Sequence, residues 1–122
     1  MAAAEVSLAA IRAAADRAFP PERGAVVYAD RVPRGPGPVQ VGGEQLILAA
    51  PHVLVFRDEQ PGANWMHACA YALVDVADGT VTHRAPSDRP PVFGLLPSSW
   101  VVASDPDGSA DLVPPADADQ ED

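Results

Sequence analysis

Two of the three histidines and the only cysteine of the chain fall within a short stretch, as His52, His67 and Cys69. An imidazole next to a thiol can serve as base and nucleophile, and imidazole together with thiolate suits zinc or copper. His67 and Cys69 are two residues apart, which separates their side chains by roughly 7 Å along a strand, wide for a shared ion. The sequence shows neither a fourth ligand nor an oxyanion hole. These residues define one hypothesis, a small enzyme or metal-binding domain centred on Cys69 with His52 and His67.

The same residues also fit a half-buried sheet face without chemistry. There the imidazoles hydrogen-bond to neighbours and the thiol packs as a small hydrophobic group. This interpretation is favoured, because no specific catalytic or metal-binding motif surrounds the three residues. We therefore expect no catalytic residue, no metal and no cofactor.

Side-chain alternation assigns residues 64–76 to the two faces of one strand. One face is large and mixed in polarity, the other small and apolar; the first holds Trp65, His67, Cys69, Tyr71, Leu73 and Asp75, the second Met66, Ala68, Ala70, Ala72, Val74 and Val76. A hairpin loop over 58–63 pairs Phe56 with Trp65, a favourable cross-strand aromatic pair. This register places His52 opposite Cys69 and brings the two histidines and the thiol onto one face.

The surrounding pattern predicts an α+β domain. An alanine-rich helix over 3–18, with a stripe that includes Val6, Ala9, Ala10, Ala13, Ala14 and Phe19, ends at Pro20-Pro21. Strands are predicted at 25–29, 39–41, 44–49, 52–57, 64–76, 80–84 and 99–103. We expect the N-terminal helix to pack on the small apolar face of a curved antiparallel sheet of about five or six strands. A small β-barrel with the helix as a plug is the alternative.

Residues 58–64 form the predicted recognition element. Two adjacent acids, Asp58 and Glu59, precede a rigid Pro-Gly turn, and Asn64 and Trp65 follow it. Together with Tyr71 on the sheet face, these residues are the expected contacts to another protein. The predicted function is a non-catalytic interaction module, such as an accessory subunit, inhibitor or immunity-type partner, that binds another protein or forms a homo-oligomer.

Charge and composition limit the partners. The net charge is −9. The segment after Ser104 contains no basic residue and seven acidic ones, Asp105, Asp107, Asp111, Asp117, Asp119, Glu121 and Asp122. We therefore expect a single domain over 1–103 and an acidic, disordered tail over 104–122. A nucleic-acid partner is not expected, since phosphate binding requires a concentrated basic surface. A lone cysteine and an N-terminus interrupted by charges indicate a cytoplasmic protein without a membrane span.

Overall fold

A computed structural model describes residues 5–62, 67–91 and 95–113 of the chain. The elements follow in the order α1 (Leu8–Ala18), β1 (Val26–Asp30), β2 (Gly37–Val41), β3 (Glu44–Leu48), β4 (His52–Asp58), β5 (Cys69–Asp75), β6 (Val81–Ser87) and β7 (Trp100–Ser104). Five strands form one antiparallel sheet in the order β6-β5-β4-β1-β7, and β2 pairs with β3 in a separate hairpin. The predicted α+β class is confirmed. The barrel alternative is wrong, because the five-stranded sheet ends in two open edges, β6 and β7.

Helix α1 begins later than predicted, and the predicted stripe is buried only in part: Ala14 and Phe19 are buried, and Val6 packs partly against the core. The Ser7 hydroxyl caps the helix by accepting the Ala10 N–H at 3.2 Å, so residues 5–7 are not helical. The buried side chains are those of Ile11, Ala14, Ala15 and Ala18, whereas Ala9, Ala10 and Ala13 are exposed. Ile11 is the largest side chain of the helix interface and sets the direction of the stripe. Within the described part of the chain, no helix is both long and apolar enough to cross a membrane.

The sheet face under the helix is as small and apolar as the alternation predicted. Ala70, Ala72 and Val74 from β5 join Val53 and Val55 from β4 against the helix. Ala68 is exposed, because β5 begins only at Cys69 and the residue precedes the strand. Met66, also expected under the helix, lies outside the described residues. A close helix–sheet contact follows from alanines on both surfaces.

The opposite sheet face is also covered. Side chains of the β2–β3 hairpin and of the C-terminal segment pack on it, and the buried cluster there contains Val26, Tyr28, Val39, Val41, Leu54, Phe56, Cys69, Tyr71, Leu73, Leu96 and Trp100. Tyr28, Phe56 and Tyr71 form a row of ring contacts, with centroids 6.0 and 5.3 Å apart. Among the described residues, both faces of the five-stranded sheet are therefore covered by other parts of the chain.

Residues 105–113 contact this second face. The buried Tyr28 hydroxyl accepts the backbone N–H groups of Asp111 and Leu112 at 3.1 and 3.2 Å, and the Leu112 carbonyl accepts the Leu96 N–H at 2.6 Å. The sequence pattern did not predict these contacts, because isolated apolar residues among acids and prolines show no periodicity. The tail prediction for 114–122 falls outside the described residues.

Candidate functional site

The observed register separates His52 from Cys69, two of the three residues of the catalytic hypothesis. Asp58 lies opposite Cys69, and His52 lies opposite Asp75. Because His52 is six residues from Asp58 on β4, it lies about 20 Å along the strand from the position opposite Cys69. The expected pairs of Phe56 with Trp65 and of His52 with Cys69 are wrong, because the connection after Asp58 is longer than six residues. Phe56 pairs with Tyr71 instead, so the aromatic pairing is preserved with a different partner.

Cys69 sits in an environment that suppresses thiol reactivity. The side chain is buried and its Sγ donates to the Ser87 carbonyl at 3.5 Å. Burial is the main cause that raises the pKa of the thiol to about 11, and the negative charge of Asp58 adds to it. Thiolate is the nucleophilic and metal-binding form. The site therefore disfavours both roles of Cys69 that the sequence suggested.

Asp58 and His67 form a buried pair rather than an exposed recognition element. His67 Nε2 lies 2.9 Å from Asp58 Oδ1, and the two residues are 6% and 1% exposed. The same Asp58 oxygen accepts the Gln60 N–H at 2.9 Å, which fixes the start of the connection after β4. Such a pair positions a loop through charge-assisted hydrogen bonds. Its burial argues against direct contact between Asp58 and a partner.

The other predicted contact residues differ in their surroundings. Glu59 is exposed and pairs with Arg57, with Nη2 and Nε donating at 2.6 and 3.0 Å. Tyr71 is buried, and its hydroxyl donates to the Arg89 carbonyl at 2.6 Å. Asn64 and Trp65 lie outside the described residues. Of the described members of this set, only Glu59 presents its side chain to solvent.

A cleft that the sequence did not reveal opens between the β2–β3 hairpin and the sheet. We call it the arginine cleft; it has a volume of about 430 Å³ and is lined by Arg34, Gln40, Gly42, Gly43, Leu54, Tyr71, Arg89, Pro90, Pro91, Pro97 and Trp100. This volume falls in the range typical of ligand pockets. Its lining holds two guanidinium groups and no carboxylate. That composition favours an anionic occupant.

Arg34 is held rigidly at one side of the arginine cleft. Its Nη1 donates to Asp30 Oδ2 at 2.5 Å and to the Val32 carbonyl at 3.1 Å, and Asp30 is only 3% exposed. The guanidinium carbon lies 5.9 Å from the centre of the Trp100 ring, within cation–π range. Both of these bonds come from Nη1, and Nε and Nη2 have no hydrogen-bond acceptor among the described residues. Arg34 is therefore a preorganised donor whose charge Asp30 partly balances.

Arg89 supplies the unbalanced charge of the arginine cleft. It is exposed, and its guanidinium forms no hydrogen bond or ion pair with any described residue. Its backbone is fixed, since the carbonyl accepts the Tyr71 hydroxyl and the N–H donates to Ser87 Oγ at 3.1 Å. A fixed backbone with an unpaired cationic side chain is suited to binding a carboxylate.

The hairpin turn closes against the cleft through a glycine. Gly42 has φ of +56°, and a Cβ there would lie 2.8 Å from the ring of Tyr71. The Gly42 carbonyl also accepts the Ser87 hydroxyl at 3.2 Å, which ties the turn to β6. Glycine is thus required both for the left-handed backbone and for the close approach. The Gly42-Gly43 pair was the only sequence signal for this wall, and it indicated a turn without showing where the turn packs.

The comparisons with other proteins add no information on function. No protein-family model, curated protein or solved structure matches the chain. Within residues 5–62, 67–91 and 95–113, no three His, Cys, Asp or Glu side chains come together in an arrangement that could hold a metal ion.

Proposed function

We propose that the protein is a non-catalytic interaction module that binds a carboxylate-bearing segment of a partner protein in the arginine cleft. The observation that carries the proposal concerns two arginines that line the same cleft. The Arg89 guanidinium has no hydrogen-bond or ion-pair partner among the described residues, and the Arg34 guanidinium is preorganised. Arginine forms paired hydrogen bonds to carboxylates, and its planar group needs little reorganisation to do so.

The rest of the cleft supports a peptide rather than an isolated ion. The Trp100 ring and the three lining prolines (Pro90, Pro91 and Pro97) offer rigid apolar surface, and Gln40 adds an exposed amide. Aromatic and arginine side chains in a desolvated pocket are typical of the residues that dominate binding energy at protein interfaces. A short acidic segment with an apolar neighbour fits this combination.

The interface differs from the one that the sequence suggested. Both faces of the five-stranded sheet are covered, and Asp58 and Tyr71 are buried. A partner at the connection after β4 therefore contacts Glu59 rather than those two side chains, and we treat that surface as the competing location. A cytoplasmic location is part of the proposal, and the single buried cysteine is consistent with it.

Binding of an acidic peptide to single-site variants tests the proposal. A glutamate peptide is titrated into the full chain by calorimetry, with a glutamine peptide of equal length as the uncharged control. Arg89→Gln is expected to weaken glutamate-peptide binding about tenfold, the usual effect of one charge-assisted hydrogen bond. Arg34 is not substituted, since its loss leaves the buried Asp30 without a counter-charge.

Arg12→Gln is the matched control for this titration. Arg12 is also exposed and also unpaired among the described residues, but it lies on helix α1, which covers the other sheet face. The Arg12→Gln substitution removes the same charge as Arg89→Gln and is expected to leave the affinity for the glutamate peptide unchanged. Equal losses in both variants would mean that only net charge matters, and the proposal would then be wrong.

A further inference from the structure

The described part of the chain ends next to the arginine cleft. Leu112 and Val113 pack against the buried cluster of the second sheet face. The Leu112 carbonyl accepts the Leu96 N–H at 2.6 Å, and Pro97, the residue after Leu96, lines the arginine cleft. Val113, the last described residue, therefore lies close to the rim of the cleft that Pro97 forms.

Hydrogen bonds fix the backbone just before this end. The Tyr28 hydroxyl accepts the N–H groups of Asp111 and Leu112 at 3.1 and 3.2 Å, and Asp111 Oδ2 accepts the Gly62 N–H at 3.0 Å. Because these contacts hold residues 111 and 112 in place, the residues that follow Val113 start from a defined position near the cleft.

The next nine residues carry the charge that suits the cleft. We call residues 114–122 the acidic terminus; it has no basic residue and contains the acids Asp117, Asp119, Glu121 and Asp122. The lining of the arginine cleft holds the guanidinium groups of Arg34 and Arg89 and no carboxylate. Opposite charges on two surfaces favour their association and decide which partner is selected.

The acidic terminus is also long enough to reach the guanidinium groups. An extended chain advances about 3.3 Å per residue, so Asp117 can lie up to about 13 Å from Val113, and Asp119 up to about 20 Å. A cavity of about 430 Å³ is roughly 8 Å across. Pro114-Pro115, directly after Val113, favours extended backbone at the start of this path. Either aspartate therefore has enough chain to enter the cleft from its Pro97 rim.

We propose that the acidic terminus binds in the arginine cleft of its own chain, with a carboxylate of Asp117 or Asp119 on the Arg89 guanidinium, and competes there with the partner segment. This inference rests on the proposed function, since it requires that the cleft bind carboxylates. A covalently attached segment this short has an effective concentration in the millimolar range at the cleft. A partner has to displace it, so its apparent affinity falls in proportion to the fraction of open clefts. The terminus thus regulates access to the cleft.

The acidic terminus of a second copy is the competing occupant. It carries the same carboxylates, but it has to be supplied by another molecule at the prevailing protein concentration. The short path from Val113 to the Pro97 rim favours the contact within one chain, because the local concentration of an attached segment exceeds that of a dilute protein. Dilution separates the two cases, since only the contact between copies depends on protein concentration.

Two full-length variants with the same change in net charge test the inference. The terminus variant neutralises the four acids of the acidic terminus, with Asp117→Asn, Asp119→Asn, Glu121→Gln and Asp122→Asn. The body variant neutralises four exposed acids in helix α1 or near it, with Glu5→Gln, Asp16→Asn, Glu22→Gln and Asp78→Asn. Only the terminus variant loses the proposed ligand of the cleft.

Calorimetry measures the affinity of each protein for the glutamate peptide. The terminus variant is expected to bind this peptide about tenfold more tightly than the unaltered chain, the change expected when a segment that fills about nine of ten clefts is removed. The body variant is expected to bind the peptide like the unaltered chain, because helix α1 covers the other sheet face.

NMR without the glutamate peptide provides a second measurement. The backbone amides of Gly42 and Gly43 and the Arg89 side-chain Nε–H should shift between the unaltered chain and the terminus variant, since all three belong to residues of the arginine cleft. A synthetic peptide of residues 114–122, added to the terminus variant, should move these resonances back towards their positions in the unaltered chain. The same peptide with its acids replaced by Asn and Gln should not.

Three outcomes would overturn the inference while the proposed function stands. If the glutamate peptide binds the unaltered chain and the terminus variant equally, the terminus does not occupy the cleft. Equal gains in the terminus and body variants would mean that only net charge matters. Cleft resonances of the unaltered chain that change on dilution would assign the contact to a second copy. Failure of the glutamate peptide to bind any of the three proteins would instead refute the proposed function, and the inference with it.

Discussion

The contact between Tyr28 and the C-terminal segment gives a prediction with a defined magnitude. The Tyr28 side chain is completely buried, and its hydroxyl is the acceptor for two backbone N–H groups, from Asp111 and Leu112. Tyr28→Phe keeps the ring and its stacking on Phe56 but removes that acceptor. A net hydrogen bond contributes about 1 kcal/mol, so the variant should lose about 2 kcal/mol of unfolding free energy. For a domain of this size, that corresponds to a decrease in Tm of about 8 °C.

Urea unfolding followed by circular dichroism measures this loss, and a shortened chain supplies the control. A chain ending at Ser104 retains the helix and all seven strands but lacks both N–H donors. In that chain Tyr28→Phe should cost less than about 0.5 kcal/mol, because the hydroxyl no longer has those partners. An equal cost in the long and short chains would show that residues 105–113 do not bind the Tyr28 hydroxyl in solution.

Three further predictions concern the sheet. Native Cys69 should react with iodoacetamide at neutral pH about a hundredfold more slowly than an unfolded thiol, since its raised pKa leaves that much less thiolate; rapid labelling contradicts the described burial. Folding raises the pKa of Cys69 from 9.0 to about 11, so the free energy of unfolding should fall as pH rises through that interval. Urea unfolding at each pH measures this fall, which should be smaller in the Cys69→Ala variant. Ala70→Phe should cost about 1–3 kcal/mol in urea unfolding by overpacking the helix contact, whereas Ala68→Phe, at an exposed position, should be nearly neutral; equal costs would place the helix elsewhere.

The sequence predicted the elements well because their signals are local. Alternation placed the strands within a few residues, and Ala70, Ala72 and Val74 were assigned correctly to the face under the helix. The helix start was misplaced because alanine favours helix at every position, while the Ser7 cap determines where the helix begins.

The candidate sites were harder to predict because they depend on pairing between distant residues. The sequence predicts the register of β4 and β5 only through an assumed loop length. A connection longer by an even number of residues leaves every side chain on its predicted face, but it separates His52 from Cys69. The arginine cleft forms where the β2–β3 hairpin packs across the sheet. No local pattern in 37–48 indicates that packing, so the cleft could not be derived from the sequence.

Mapping the binding surface of the glutamate peptide tests the central claim most directly. In a ¹⁵N-edited NMR titration, we expect saturable shifts of the backbone amides of Gln40, Gly42 and Gly43 and of the Arg89 side-chain Nε–H, all at the arginine cleft. Shifts that instead cluster around Glu59, or no saturable shifts at the cleft, would contradict the assignment of the arginine cleft as the site of partner binding.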